Sequence, residues 1–190
     1  MLDRDLARRI RLVGFDVDGV LTDNGVYLGS LDGRLLELKR FHIQDGLGFK
    51  LLQLAGIRVV LVSGRPSPAT EVRAQELRLD AVVQDGAARK LPLFEDLLRS
   101  FGLDWSGAAF VGDDLADLPL LRRVALPIAV SNAVPEVRDA ARFVTSAGGG
   151  GGAAREVADL LLKARGEWDA VLETYLAERG DNAARSGHVR

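Results

Sequence analysis

Apolar residues along this chain follow two rhythms. Short runs of Val, Ile, Leu and Ala recur between longer stretches whose leucines repeat every three or four positions, the alternation expected of buried parallel strands linked by crossover helices. Arg11 to Phe15, Ile57 to Val62, Ala81 to Gln84, Ala108 to Gly112 and Leu126 to Val130 are the five predicted strands, each ending in a polar or glycine-containing turn. Asp45 to Ala55 carries Leu47, Leu51 and Leu54 at helical spacing and stops at Gly56, while Ser67 followed by Pro68 reads as an N-cap and first helical position. Leu91 to Phe101, with Pro92 in its first turn, predicts a third helix, and Asp114 to Leu121 and Pro135 to Ala140 predict two shorter ones. One stretch departs from the alternation. Gly25 to Leu28 and Leu35 to Phe41 flank the turn-forming Gly29 to Gly33, so residues 25–41 are expected to form a hairpin that projects from the sheet. Gly148 to Gly152 is a five-glycine run, read as a flexible lid or subunit contact, and leads into an amphipathic helix from about Ala154 to Ala164. From Glu178 the chain turns polar, and residues 178–190 are expected to be frayed or disordered. The expected fold is α/β, a single domain over residues 1–177 with a parallel sheet flanked by helices.

Composition narrows the chemistry. The chain has 190 residues, enough for one sizeable core. Its 25 Lys and Arg against 27 Asp and Glu create no basic field of the kind nucleic acid or an anionic membrane surface requires. No apolar run approaches the roughly 18 residues of a membrane helix, so a cytoplasmic protein is expected. Cysteine is absent and there are two histidines, which removes thiolate metal sites and Cys nucleophiles and leaves carboxylates to run any active site. His188 sits in the polar tail, and Trp105 and Trp168 read as packing or interface residues.

Carboxylates cluster at two predicted strand ends. Asp16-Val17-Asp18-Gly19 follows the first strand, and its acidic pair at i and i+2 lies on one face of an extended segment. Two like charges about 4 Å apart repel by about 4 kcal/mol at an effective dielectric near 20, so a bound metal or a raised pKa must relieve the pair. Oxygen ligands point to Mg²⁺. The fourth strand ends in Gly112-Asp113-Asp114-Leu115-Ala116-Asp117, and Asp113 completes a carboxylate site if the two strands are neighbours. One of the three aspartates is expected to cap the following helix. Ser63-Gly64-Arg65 ends the second strand and offers a hydroxyl, a close-approach glycine and a guanidinium to a phosphate. Lys90 stands at a helix start, where the dipole disfavours a cation, and this implies an anion nearby.

Taken in order, these four segments resemble the motifs of the haloacid dehalogenase superfamily of phosphatases. Phe41 to Gly46, Asp117-Leu118-Pro119 and the glycine run leading into Ala154-Arg155-Glu156-Val157 are similar to its small capless branch, which acts on phosphorylated sugar acids. The resemblance spans about Leu12 to Leu162. It implies a Rossmann-like sheet with the first strand central, no cap domain, and a homotetramer whose hairpins pack together. It further implies Asp16 as nucleophile, Asp18 as general acid and base, and Mg²⁺ on the Asp16 carboxylate, the Asp18 backbone carbonyl and Asp113. Ser63 and Lys90 would hold the phosphoryl oxygens, with Asp114 or Asp117 orienting Lys90 or a metal-bound water. His42, Asp45, Gly46, Lys50, Arg65 and Arg73 match positions that contact the sugar acid, some from a neighbouring subunit. Gln44 stands where the family commonly has a basic residue, and Lys50 where it has Arg, so one carboxylate contact is expected to weaken. The implied substrate is 3-deoxy-D-manno-octulosonate 8-phosphate, with a nonulosonate 9-phosphate as rival. A catalytically silent oligomerisation domain is the reading from a different class.

Overall fold

A computed structural model of the chain describes residues 2–181. In chain order, α1 (Arg4–Arg9) precedes β1 (Leu12–Phe15), β2 (Tyr27–Leu31), β3 (Arg34–Leu38), α2 (Ile43–Leu54), β4 (Arg58–Ser63), α3 (Pro68–Glu76) and β5 (Ala81–Gln84). There follow α4 (Lys90–Ser100), β6 (Ala108–Gly112), α5 (Leu118–Leu121), β7 (Leu126–Ala129), α6 (Pro135–Ala140), β8 (Phe143–Val144), α7 (Ala153–Arg165) and α8 (Trp168–Glu178). Six parallel strands run in the order β5-β4-β1-β6-β7-β8, and β2 and β3 form a separate antiparallel pair.

All four residues of β1 are buried, because helices cover both faces of the sheet. Phe15 meets Phe49 of α2 edge to ring at 5.0 Å on one face, where α2 packs against α7. Phe94 of α4 meets Phe110 of β6 at 5.5 Å on the other. Burying each of these rings contributes about 2–3 kcal/mol. The chain runs outward from β1 to β4 and β5, then crosses back to β6, so the strand order reverses at β1 and β6. Ligands of open α/β sheets bind beyond the carboxyl ends of the strands at such a reversal, and Asp16 and Asp113 directly follow those two strands.

Several expectations need correction. The sheet has a sixth strand, β8, which at two residues is too short to carry a pattern. The hairpin turn is Asp32-Gly33 alone, both residues left-handed, so Gly29 and Leu31 pair inside β2. The segment from Asp114 to Leu121 is a 3-10 turn over Leu115–Asp117 followed by the single turn of α5. Ser67 is the N-cap of α3, but its hydroxyl makes no capping bond. Residues Trp168–Glu178 form a helix that lacks a distinct sequence signature, and Trp168 packs against the core. His188 and the rest of residues 182–190 lie outside the described residues.

The glycine run packs against the loop that follows β1. A Cβ on Gly149 would lie 2.0 Å from the Gly19 carbonyl oxygen, and Gly19 itself, at φ +89°, has Asp113 where its own Cβ would be. Backbone here touches backbone, which only glycine permits. Asn132 ties the contact together: its amide donates to the Gly19 carbonyl at 3.0 Å and its oxygen accepts from the Gly149 N–H at 2.6 Å.

Candidate active site

Asp16 continues β1 into the crevice, where its N–H donates to the Val111 carbonyl of β6 at 2.9 Å. Asp18 follows in the loop closed by Thr22, whose hydroxyl accepts from the Gly19 N–H at 3.3 Å and donates to the Val17 carbonyl at 3.4 Å. Lys90, at the first position of α4, answers the dipole problem with two carboxylates: its Nζ stands 2.7 Å from Asp16 Oδ1 and 2.7 Å from Asp117 Oδ1. Its anion partners are therefore inside the protein.

The aspartates that follow β6 divide the work that spacing left open. Asp114 caps the 3-10 turn by accepting from the Leu115 N–H at 2.7 Å. Asp117, fully buried, turns back so that Oδ1 receives Lys90 and Oδ2 receives the Asp113 N–H at 2.9 Å. Of the two candidates, Asp117 is the one in contact with Lys90. Asp16, Asp113 and Asp117 bring carboxylate oxygens within 4.8 Å of one another. Both oxygens of Asp117 are occupied, and Lys90 also takes Oδ1 of Asp16.

The electrostatics fit a divalent metal. With all three ionised, the buried carboxylates would face one ammonium and leave an excess of two negative charges. Burial, then Asp117, push Asp113 up to about 7. Burial and Asp117 also raise Asp16 well above the ordinary carboxylate range. Burial alone would lower Lys90, but Asp16 and Asp117 outweigh it and raise it. Asp113 Oδ1 is buried with no hydrogen-bond partner, an acceptor aimed at something other than protein. A carboxyl raised on folding penalises the folded state above its folded pKa, and the penalty fades as pH falls toward the unfolded value. Without a cation, stability therefore falls as pH rises from about 4 to 7.

Asp16, Asp18, Ser63, Arg65, Lys90 and Asp113 line one cleft of about 260 Å³, together with Asn24 and Val26. Ser63 is buried; its Oγ accepts from the Arg65 N–H at 3.1 Å and donates to the Arg65 carbonyl at 3.0 Å. A larger hollow at the opposite sheet edge, about 450 Å³ around Arg11, Ile57 and Phe101, holds no comparable cluster.

The other sequence candidates stand apart from the cleft. Gly46, Lys50 and Arg73 line a separate groove of about 600 Å³ between α2, α3 and α8. There Lys50 pairs with Glu178 at 2.9 Å and Arg73 with Glu76 at 2.7 Å. Asp45 is buried and accepts from the Arg155 N–H at 2.9 Å, capping α7 from the side. His42 packs beside Gly152.

Sequence reasoning missed two residues of the hairpin. Lys39 Nζ lies 2.7 Å from Asp18 Oδ1, and Glu37 Oε1 accepts from both terminal nitrogens of Arg65 at 2.9 Å. The signal was the alternation Leu36-Glu37-Leu38-Lys39, which sets two charges on one face of an extended segment.

The chain is similar to known phosphatases over most of its length. Residues 86–156 match the model of the haloacid dehalogenase-like hydrolases. The 3-deoxy-D-manno-octulosonate 8-phosphate phosphatase KdsC of Escherichia coli strain K12 is 41% identical over 163 residues, covering 86% of this chain and 85% of that protein. The crystal structure of the Moraxella catarrhalis 3-deoxy-D-manno-octulosonate 8-phosphate phosphatase, in complex with magnesium ion, phosphate ion and KDO, superposes with a TM-score of 0.84. It is 37% identical and covers 90% of this chain and 97% of its own. The cobalt-bound phosphatase of Haemophilus influenzae gives a TM-score of 0.78 at 36% identity, over 85% of this chain and 92% of that one.

Proposed function

The chain belongs to the haloacid dehalogenase-like hydrolases, in the 3-deoxy-D-manno-octulosonate 8-phosphate phosphatase family, and on that premise we propose that it hydrolyses this sugar-acid phosphate with Mg²⁺ through an aspartyl-phosphate. The observation that carries the reading is the buried Asp16 carboxylate, held by Lys90 beside Asp113 at the reversal of strand order.

Asp16, Asp113 and the backbone carbonyl of Asp18 would hold Mg²⁺, which when bound neutralises the excess negative charge of the site and the phosphate. Lys90, fixed by Asp117, keeps the Asp16 carboxylate in place and offers an ammonium to the phosphoryl oxygens. Ser63 stands at the same cleft to bind a phosphoryl oxygen. An Asp16 oxygen forms the new bond to phosphorus as the ester bond breaks, and Asp18 gives its proton to the departing sugar oxygen. Asp18 then takes a proton from the water that attacks the aspartyl-phosphate, releasing phosphate and restoring Asp16.

The test is phosphate release from a panel of sugar-acid phosphates. Turnover is expected to be highest with 3-deoxy-D-manno-octulosonate 8-phosphate and lower with nonulosonate 9-phosphates. It should cease with chelator and return with Mg²⁺. Mg²⁺ should also raise the melting temperature more at pH 8 than at pH 5.5, since protonation of Asp113 relieves the same repulsion. Turnover indifferent to chelation would overturn the reading, and preference for a nonulosonate would reassign the substrate.

The assembly reading is a homotetramer. Leu28, Leu31 and Leu35 of the hairpin are 64%, 65% and 78% exposed, and a two-stranded ribbon does not bury such side chains alone. Packing of hairpins would cover them, and a neighbouring chain could bring Gly46, Lys50 or Arg73, with His42 and Asp45 behind them, toward the sugar acid. Leu31→Asp with Leu35→Asp is expected to shift the sedimenting species from tetramer to smaller forms. An unchanged tetramer would assign the contact elsewhere.

A further inference from the structure

The returning strand β3 and the residue just after it send two charged side chains, Glu37 and Lys39, toward the cleft, and neither lies in a strand-end motif. Lys39 Nζ is 2.7 Å from Asp18 Oδ1, and Asp18 Oδ2 is 3.6 Å from Arg65 Nε. The Arg65 terminal nitrogens are 2.9 Å from Glu37 Oε1, which is in turn 4.0 Å from Lys39 Nζ. Four charges of alternating sign thus close into a ring. We propose that Lys39 and Glu37 are positioning residues of the phosphatase reaction, Lys39 fixing the Asp18 carboxylate and Glu37 the Arg65 guanidinium.

Burial of Lys39 separates this ring from ordinary surface ion pairs, its other members Glu37, Asp18 and Arg65 being 20%, 27% and 39% exposed. The Lys39 side chain is 1% exposed, and a desolvated ammonium is stable only with a fixed partner. That partner is the group assigned the proton transfers, so the inference rests on the proposed function. An aspartate carboxylate rotates easily about its last torsion. With one cation on each oxygen, the plane of Asp18 is set. Glu37 receives both Arg65 terminal nitrogens on one oxygen, and the Ser67 hydroxyl donates to the same oxygen at 3.3 Å. Asp18 and Arg65 line the cleft, so the hairpin aims cleft-lining groups from behind.

The test compares the full-length wild type with K39M, K39R and E37Q in the presence of Mg²⁺. Two substrates are used: 3-deoxy-D-manno-octulosonate 8-phosphate, whose alkoxide leaves only with a proton, and p-nitrophenyl phosphate, whose leaving group needs none. The readout is kcat/KM, which reports only as far as phosphoryl transfer to Asp16. K39M is expected to lose about 100-fold on the sugar phosphate, and at least about tenfold more there than on the aryl ester, with K39R recovering part of the difference. E37Q is expected to raise KM for the sugar phosphate about tenfold with a smaller change in kcat.

Equal losses on both esters in K39M would reduce Lys39 to an anchor of the hairpin and overturn its positioning role, as would no loss at all. Should K39M fail to fold, K39R and E37Q decide, and parallel changes on the two esters overturn the inference. A wild type that hydrolyses neither ester removes the phosphatase reading and this inference together. A wild type active on both, with variants that do not distinguish them, removes this inference alone.

Discussion

Asp16→Asn is expected to reduce turnover by about four orders of magnitude or more, because the amide oxygen that replaces the carboxylate has no negative charge with which to attack phosphorus. Stability should move the other way or stay level. Burial raises Asp16 well above the ordinary carboxylate range, so its charged form is costly in the folded state, and asparagine fills the same space without that charge. Lys90 keeps Asp117 at 2.7 Å. At pH 8 without Mg²⁺ the variant should therefore melt at or above the wild-type temperature, by calorimetry or circular dichroism. A purely structural Asp16 would instead lose stability and activity together. Residual turnover within tenfold of wild type would remove Asp16 as nucleophile.

Lys90→Met should be damaging in both respects. Its ammonium lies between two buried carboxylates, and leaving a buried charge unpaired costs about 3–5 kcal/mol. The loss should be greatest in chelator at pH 8, where repulsion among Asp16, Asp113 and Asp117 is unrelieved, and smaller with Mg²⁺ present. Turnover should fall about 1,000-fold, the effect of removing a preorganised donor to developing phosphoryl charge. Urea denaturation with and without Mg²⁺ separates the two effects. Equal denaturation midpoints for variant and wild type in chelator would show that Lys90 does not hold the carboxylates apart.

The strand ends were legible in the sequence because parallel strands buried on both faces read as uninterrupted apolar runs, and the polar residue that ends each run falls at the edge where ligands bind. Asp16, Ser63 and Asp113 could be placed by that rule, and Lys90 by its position at a helix start, where the dipole implies an anion. Roles within a cluster could not. Asp114 and Asp117 are three residues apart, a spacing that lets either cap a turn or reach back, and only coordinates show Asp117 on both Lys90 and the Asp113 N–H. Strand β8 was lost to its length, and α8 to a weak separation of apolar and polar faces. Glu37 and Lys39 carried an alternating pattern, yet their partners Arg65 and Asp18 lie 28 and 21 residues away. No local periodicity reports a contact at that range.

The packing of Gly149 against Gly19, bridged by Asn132, bears on how the enzyme comes to exist. Asn132 lies 113 residues beyond the carbonyl it braces. During synthesis, a nascent chain carries Asp16, Asp18 and Lys90 long before the segment that wedges the loop after β1 has left the ribosome. Competence therefore arrives late, once Asn132 and Gly149 have emerged, and a message cut short before that point yields the carboxylates and Lys90 without the frame that braces them.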